Sequence, residues 1–323
     1  MVAGCPRRNQ PMLQQVLEVE GLLDSAFVNG RNVVRLLKSR GLRLVESVHI
    51  EGKNGETDFL KIVIPGVNGV TSGGEAPTIG IIGQLGGLGA RPHRQGLVSD
   101  ADGAIAALAC ALKLTDMARH GDRPQGDVIV TTHICPNAPI KEHVPVPFMD
   151  SPVQVAQRNK YLVDSRMEAI ISIDTTKGNR IINYKGIAIT PVIKQGYILR
   201  ISDDLLNIME WCTGKPPRVV PITTQDITPY GNNLFHINSM LQPSTVTDSP
   251  LIGVAITAES TVPGCATGAS SEISIEEAAR FCIEVTKAFG QGKCEFYLRE
   301  EYGLLLQLYG SMEHLQKTGK KSR

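Results

Sequence analysis

The stretch from Pro77 to Leu108, PTIGIIGQLGGLGARPHRQGLVSDADGAIAAL, constrains the fold more than any other part of the chain. Its apolar run Ile79-Gly80-Ile81-Ile82 continues without polar alternation, the pattern of a strand covered on both faces in a parallel sheet. Glycines at 83, 86, 87 and 89 then let the backbone turn sharply or approach a ligand closely. A polar loop with Arg91, His93 and Arg94 follows. Ser99-Asp100-Ala101-Asp102-Gly103 opens an alanine-rich helix whose Ile105, Leu108, Leu112 and Leu114 suit packing on a sheet. Ligands of open α/β sheets bind beyond the carboxyl ends of the strands, where these glycines and aspartates fall.

The same pattern recurs along the chain. Buried strands are expected at 126–132, 168–173 and 251–257, with further strands at 187–193 and 196–201. Segments 42–50 and 59–64 flank Asn54-Gly55, a hairpin signal. Helical spacing marks 11–24, 30–39, 203–211, 275–289 and 295–315, whereas Pro139, Pro145, Pro147 and Pro152 predict a long irregular loop or lid. Strands alternating with helices give an α/β fold with a mostly parallel central sheet flanked by helices. The expected organisation is a disordered 1–10, one α/β domain over 11–315 with a segment around 185–245 inserted or appended, and a disordered basic tail at 316–323.

Composition narrows the partners. In 323 residues, 33 basic side chains stand against 32 acidic ones, a net charge of +1 that provides no general attraction to nucleic acid or anionic membrane. Seven cysteines, at 5, 110, 135, 212, 265, 282 and 294, are odd in number and lack metal-knuckle spacing. No signal peptide or membrane-length apolar run is legible, so a cytoplasmic protein is expected. Helix 295–315 carries more apolar surface than one core-facing stripe needs, which predicts a homo-oligomer.

Four predicted strands end in polar clusters, and parallel strands would aim all four at one rim. Asp100 and Asp102 suit a metal or acid–base pair, and equally suit helix capping. The Asp-Ala-Asp-Gly run lacks the later ligands of an EF-hand, and the glycines lie too far before the helix for a dinucleotide fingerprint. His133, at a strand end, is a candidate ligand or general base, or a structural histidine bonded to loop carbonyls. His93 reads as solvated. Cys135 and Cys265 are candidate nucleophiles or small hydrophobes. Gln84, Gln225, Asp226, His236 and Cys135 are the expected substrate-binding residues. Asp100, His133 and Asp174, each at a strand end or the start of the next helix, form a candidate set for a divalent metal, zinc or manganese. His133, Asp102 and Cys265 are the candidate catalytic residues.

The segments SDADGAIAALACALKL, GDVIVTTHICPNAP, PVPFMDSPV, TTQDITPYGNNLFHINSM and VPGCATGASSE resemble a bacterial family known only as a domain of unknown function, number 1177. More distantly, the order of segments is similar to the co-catalytic zinc exopeptidases and deacylases of the glutamyl-aminopeptidase type. That resemblance implies a phosphorylase/hydrolase-like architecture, with Asp100 at the metal-bridging aspartate and Asp174 at a later acidic ligand. The sequence departs from it at Gln84-Leu85-Gly86, where His-x-Asp is the pattern. It departs again at His133-Ile134, in place of Glu-Glu, and at 266–270, in place of a final His. The resemblance implies a hydrolase of a small amide: a dipeptide, a cyclic peptide or an N-acyl amino acid. A small-ligand-binding protein or enzyme-complex subunit that kept the fold, and a metal-independent enzyme using Cys135 or Cys265, are the alternatives.

Overall fold

Where apolar runs do not alternate, both faces of a strand need cover, and the four such runs of this chain form the centre of one sheet. The computed structural model describes residues 12–89, 96–144, 146–177, 180–234 and 236–319. In chain order the strands are β1 (Val45–Gly52), β2 (Gly55–Ile64), β3 (Ile79–Gly83), β4 (Val128–Ile134), β5 (Ile140–Lys141) and β6 (Phe148–Met149). They continue with β7 (Ala169–Thr175), β8 (Gly186–Ile189), β9 (Val192–Lys194), β10 (Tyr197–Leu199) and β11 (Leu251–Thr257). The main sheet runs β1-β2-β4-β3-β7-β11-β9-β10, with β8 also paired to β11, while β5 and β6 form a small separate ladder.

Strands β4, β3, β7 and β11 are mutually parallel, and both flanks are antiparallel. The sheet is thus mixed, more so than continuous apolar runs alone predict. The reason is connection length. Strand β1 reaches β2 through the tight turn before Gly55, and β9 reaches β10 through Gln195 and Gly196, both at positive φ. Such turns join only antiparallel neighbours.

Helices α1 (Met12–Leu23), α2 (Gly30–Ser39), α3 (Asp102–Arg119), α4 (Val155–Leu162), α5 (Asp203–Thr213), α6 (Glu272–Gly290) and α7 (Arg299–Tyr309) cover this sheet. Alternation decides which residue meets which layer. Ile79, Ile81, Val130, Ile171, Ile173 and Val254 pack in the large core with α1, α3 and α6. Ile82, Ile129, Ile170 and Ala255 face the opposite way, against Leu162 of α4 and against Met240 and Leu241 of a 3-10 segment, Ser239–Val246.

The helix expected over 295–315 is shorter, because α7 ends at Tyr309 before Gly310. Phe296 and Tyr302 enter the core, leaving Leu298, Leu304, Leu308 and Tyr309 exposed. In the proline-rich stretch, α4 is a helix that sequence reading did not foresee. Gln316 donates to the carbonyls of Ser244 and Thr247, so the start of the expected tail is docked. The expectations for 1–10, for the end of the tail at 320–323, and for Arg91, His93 and Arg94 lie outside the described residues. Among the described residues no helix is long and apolar enough to cross a membrane.

Candidate functional site

The strand parity that sends Ile82, Ile129 and Ile170 toward α4 sends the next polar residues there too. Gln84 follows β3, Thr131 and His133 end β4, and Ser172 and Asp174 end β7, all on one face of the carboxyl rim. Asp100 reaches the rim from the turn before α3, and its backbone N–H donates to the Gly264 carbonyl at 2.9 Å. Helix α3 approaches very closely, because a Cβ on Gly103 would lie 2.6 Å from the Ile173 carbonyl oxygen.

Asp100 is held by the glycines after β3, whose freedom matters here because a Cβ on Gly86 would strike the Asp100 carboxylate. Its Oδ2 accepts from the N–H of Gly86 at 2.6 Å and of Gly87 at 3.2 Å. Burial and the negative charge of Asp174 nevertheless push its pKa up to about 7. Burial also raises Asp174, to about 6, although Ser239 Oγ and the Thr175 N–H, at 2.8 Å, both donate to its carboxylate. The repulsion between them is expressed on Asp100, the weaker acid of the pair. Two buried carboxylates thus repel one another at the rim, and each holds its proton to a higher pH than it would in water.

A cation shares this space. Arg158 of α4 is only 6% exposed, and its positive charge favours ionisation of both Asp100 and Asp174. Its Nη1 donates to the Leu85 carbonyl at 3.3 Å, whereas its Nε has no hydrogen-bond partner. Sequence reading missed Arg158. The available signal was Val155, Asn159 and Leu162 at helical spacing after Ser151-Pro152.

His133 occupies the rim differently from expectation. Thr57 Oγ1 lies 2.8 Å from its Nδ1 and the Leu85 carbonyl 3.1 Å from its Nε2. A carbonyl only accepts, so Nε2 carries the hydrogen and Nδ1 faces the threonine hydroxyl. Burial and the nearby Arg158 charge push its pKa down to about 3, keeping it neutral. Both nitrogens are occupied, so the Asp100–His133–Asp174 set is not assembled for coordination. Among the described residues no group of three or more His, Cys, Asp or Glu is arranged to hold a metal ion.

Asp102 is bonded to other groups, although its charge also raises the pKa of Asp174. Lys177 Nζ sits 2.5 Å from its Oδ2 and Ser270 Oγ donates to its Oδ1 at 2.6 Å, with both ends of the ion pair fully buried. Lys177 also donates to the Ala269 carbonyl at 2.8 Å. Asp102 therefore ties the start of α3 to two loops, and both its carboxylate oxygens are engaged. Cys135 and Cys265 pack with Val98, Ala138 and Met149 in one small apolar cluster. Burial pushes the Cys135 thiol up to about 12, far from a nucleophilic thiolate.

The predicted substrate-binding residues divide. Asp226 spends its carboxylate within its own loop, accepting from Thr223 N–H at 2.8 Å and Ile237 N–H at 2.9 Å. Gln225 is exposed. Gln84 is buried at the rim with Oε1 unpartnered and Nε2 3.5 Å from Ser172 Oγ. The His236 ring centroid lies 4.3 Å from that of Tyr230 with the planes tilted by 49°, and neither ring nitrogen completes a hydrogen bond, although the Gln225 backbone is close enough to favour its protonation. Asn238, 1% exposed beside Ser239, has neither amide atom partnered. Unpaired polar atoms thus collect around Asp174 and Arg158, and buried groups of this kind normally have partners.

The profile of the family described as "Protein of unknown function (DUF1177)" matches residues 48–319. The chain belongs to this family. In this DUF1177 member the matched region contains every strand of the main sheet except the first three residues of β1, and all the rim residues described above. No curated protein matches the chain.

Proposed function

We propose that this chain is a hydrolase of a small amide, built on a zinc-exopeptidase-like scaffold with a modified site. The carrying observation is the meeting of Asp100 and Asp174 at the carboxyl rim of parallel strands, beside a buried guanidinium. The strand order, with an antiparallel pair at one edge and a parallel centre, supports the scaffold. In the zinc exopeptidases that the sequence distantly resembles, acidic residues at the positions matched by Asp100 and Asp174 hold metal. Here the rest of such a donor set does not fit, since His133 is fully bonded and Gln84 stands at the first ligand position. The reading therefore assigns the proton transfers to the carboxylates.

Asp174, the stronger acid of the pair, ionises first and takes a proton from a water as that water adds to the amide carbonyl carbon. Asp100 Oδ2 is occupied by two backbone N–H groups, so its proton sits on Oδ1 and passes to the carbonyl oxygen. In the second step the C–N bond breaks. The leaving nitrogen receives the proton held by Asp174, and the adduct's hydroxyl returns one to Asp100. The expected pH–rate profile is a narrow bell, rising as Asp174 ionises near pH 6 and falling as Asp100 loses its proton near pH 7.

The test is turnover of dipeptides and N-acyl amino acids followed by NMR. Asp100→Asn and Asp174→Asn should each lower kcat by about a hundredfold or more. Wild-type kcat in either variant would remove the assignment. A second reading, a ligand-binding protein without turnover, is favoured by the commitment of His133, Asp102, Cys135 and Cys265 to internal contacts. Saturable binding with no product would select it.

A further inference from the structure

Among the described residues Arg158 is a buried cation without an ion pair. Among the described residues no carboxylate oxygen lies within salt-bridge distance of it, and its Nε has no acceptor of any kind. A guanidinium taken out of water is normally paired, because the cost of desolvation is otherwise uncompensated. Its remaining neighbours do not meet that need. Asp100 and Asp174 act on it only at longer range, and Leu85 contributes one carbonyl at 3.3 Å. Around it lie other polar groups with unused capacity. Tyr230 feels the Arg158 charge and lies tilted against His236, whose ring nitrogens complete no hydrogen bond among the described residues, and Asn238 adjoins the Ser239 that bonds Asp174.

We infer that Arg158 is the receptor for a carboxylate on the ligand, and that the ligand is an α-amino acid with a free carboxylate and an acylated nitrogen. Planar guanidinium matches planar carboxylate in shape and charge, and an unused Nε leaves an edge of the fork available. Asn238 and His236 are suited to complete the recognition as neutral hydrogen-bonding groups. The inference rests on the small-amide reading of the same rim and narrows it. In a dipeptide or an N-acyl amino acid the free carboxylate is three covalent bonds from the carbonyl carbon to be attacked. A carboxylate anchored at Arg158 therefore brings that carbon toward Asp100 and Asp174. A cyclic peptide has no such carboxylate and drops out.

The experiment compares N-acetylglycine and glycylglycine with N-acetylglycinamide, which keeps the acyl amide and replaces the carboxylate by a neutral group. Calorimetry and thermal shift are run at millimolar ligand on wild type, Arg158→Gln and Arg158→Lys, with circular dichroism confirming the fold. At least one of the two carboxylates should bind wild type and raise its Tm, and N-acetylglycinamide should not. Arg158→Gln should weaken that binding by about tenfold or more, and Arg158→Lys, which keeps charge and loses the fork, should fall between. Without ligand, Arg158→Gln should melt no lower than wild type, a result that a purely structural arginine would not give. Equal binding of N-acetylglycinamide, unchanged affinity in Arg158→Gln, or no response to either carboxylate overturns the inference. Binding that follows this pattern with no product by NMR removes the hydrolase reading and leaves the inference standing. Turnover of N-acetylglycinamide that is indifferent to Arg158 does the reverse.

Discussion

Burial moves the titrations of His133 and Asp100 in opposite directions over overlapping pH ranges. The unfolded chain protonates histidine near 6.5, whereas native His133 stays neutral down to about 3. The unfolded state then binds more protons, and this histidine lowers stability as pH falls through that window. The unfolded chain releases the Asp100 proton near 3.8, but the native chain holds it to about 7. Here the native state binds more protons, so stability falls as pH rises. Relative to wild type, Asp100→Asn should therefore gain stability progressively from about pH 4 to about pH 7, and His133→Gln progressively in the opposite direction. Urea unfolding across that range checks both, and variant curves parallel to wild type would refute the assignment. The Lys177–Asp102 pair gives a second prediction. Removing one partner leaves a buried charge, so Lys177→Met should cost about 3–5 kcal/mol in denaturant unfolding. Lys177→Met combined with Asp102→Leu should cost less than Lys177→Met alone. At this scale the sequence showed which residues stand at strand ends, but not what bonds them. His133 and Asp102 look free when read as letters. Their partners, Thr57 and Lys177, come from 76 and 75 residues away.

Helix α3 packs against the strand ends backbone to backbone. Gly103 faces the carbonyls of Gln84 and Ile173, at 2.5 and 2.6 Å from the position a Cβ would take, and Gly83 faces the Gly103 carbonyl at 2.7 Å. Gly103→Ala should push α3 outward, cost about 1–3 kcal/mol, and shift Asp100 away from Asp174. Both effects are measurable, as a lower urea midpoint and as a pH–rate bell narrowed by a lower-lying alkaline limb, because Asp100 loses part of the repulsion that raises it, and an alanine variant of unchanged stability would contradict the packing. Elements were legible in proportion to their internal pattern. Strands β3, β4, β7 and β11 are continuous apolar runs, and α2 spans the predicted 30–39 without error. Helix α4 escaped because its eight residues follow Pro152 and its N-cap, Gln154, makes no side-chain cap. Arg158 was lost with it.

For the molecule as a whole, the sequence conveyed the α/β class and the convergence of strand ends, because both follow from parallel strands alone. The antiparallel flanks depended on turn lengths and on pairings across the sheet that no local pattern encodes. The rim draws its polar groups from β3, β4, β7, α4 and the turn before α3, so it exists only in the assembled fold. One feature of the rim joins three of these sources. The Leu85 carbonyl receives both His133 and Arg158, while the adjoining N–H of Gly86 donates to Asp100. Carbonyl and N–H are two edges of a single rigid amide. Rotation of that one plane would break the hydrogen bonds to the histidine, the guanidinium and the carboxylate together, so three side chains from distant parts of the chain rest on one hinge.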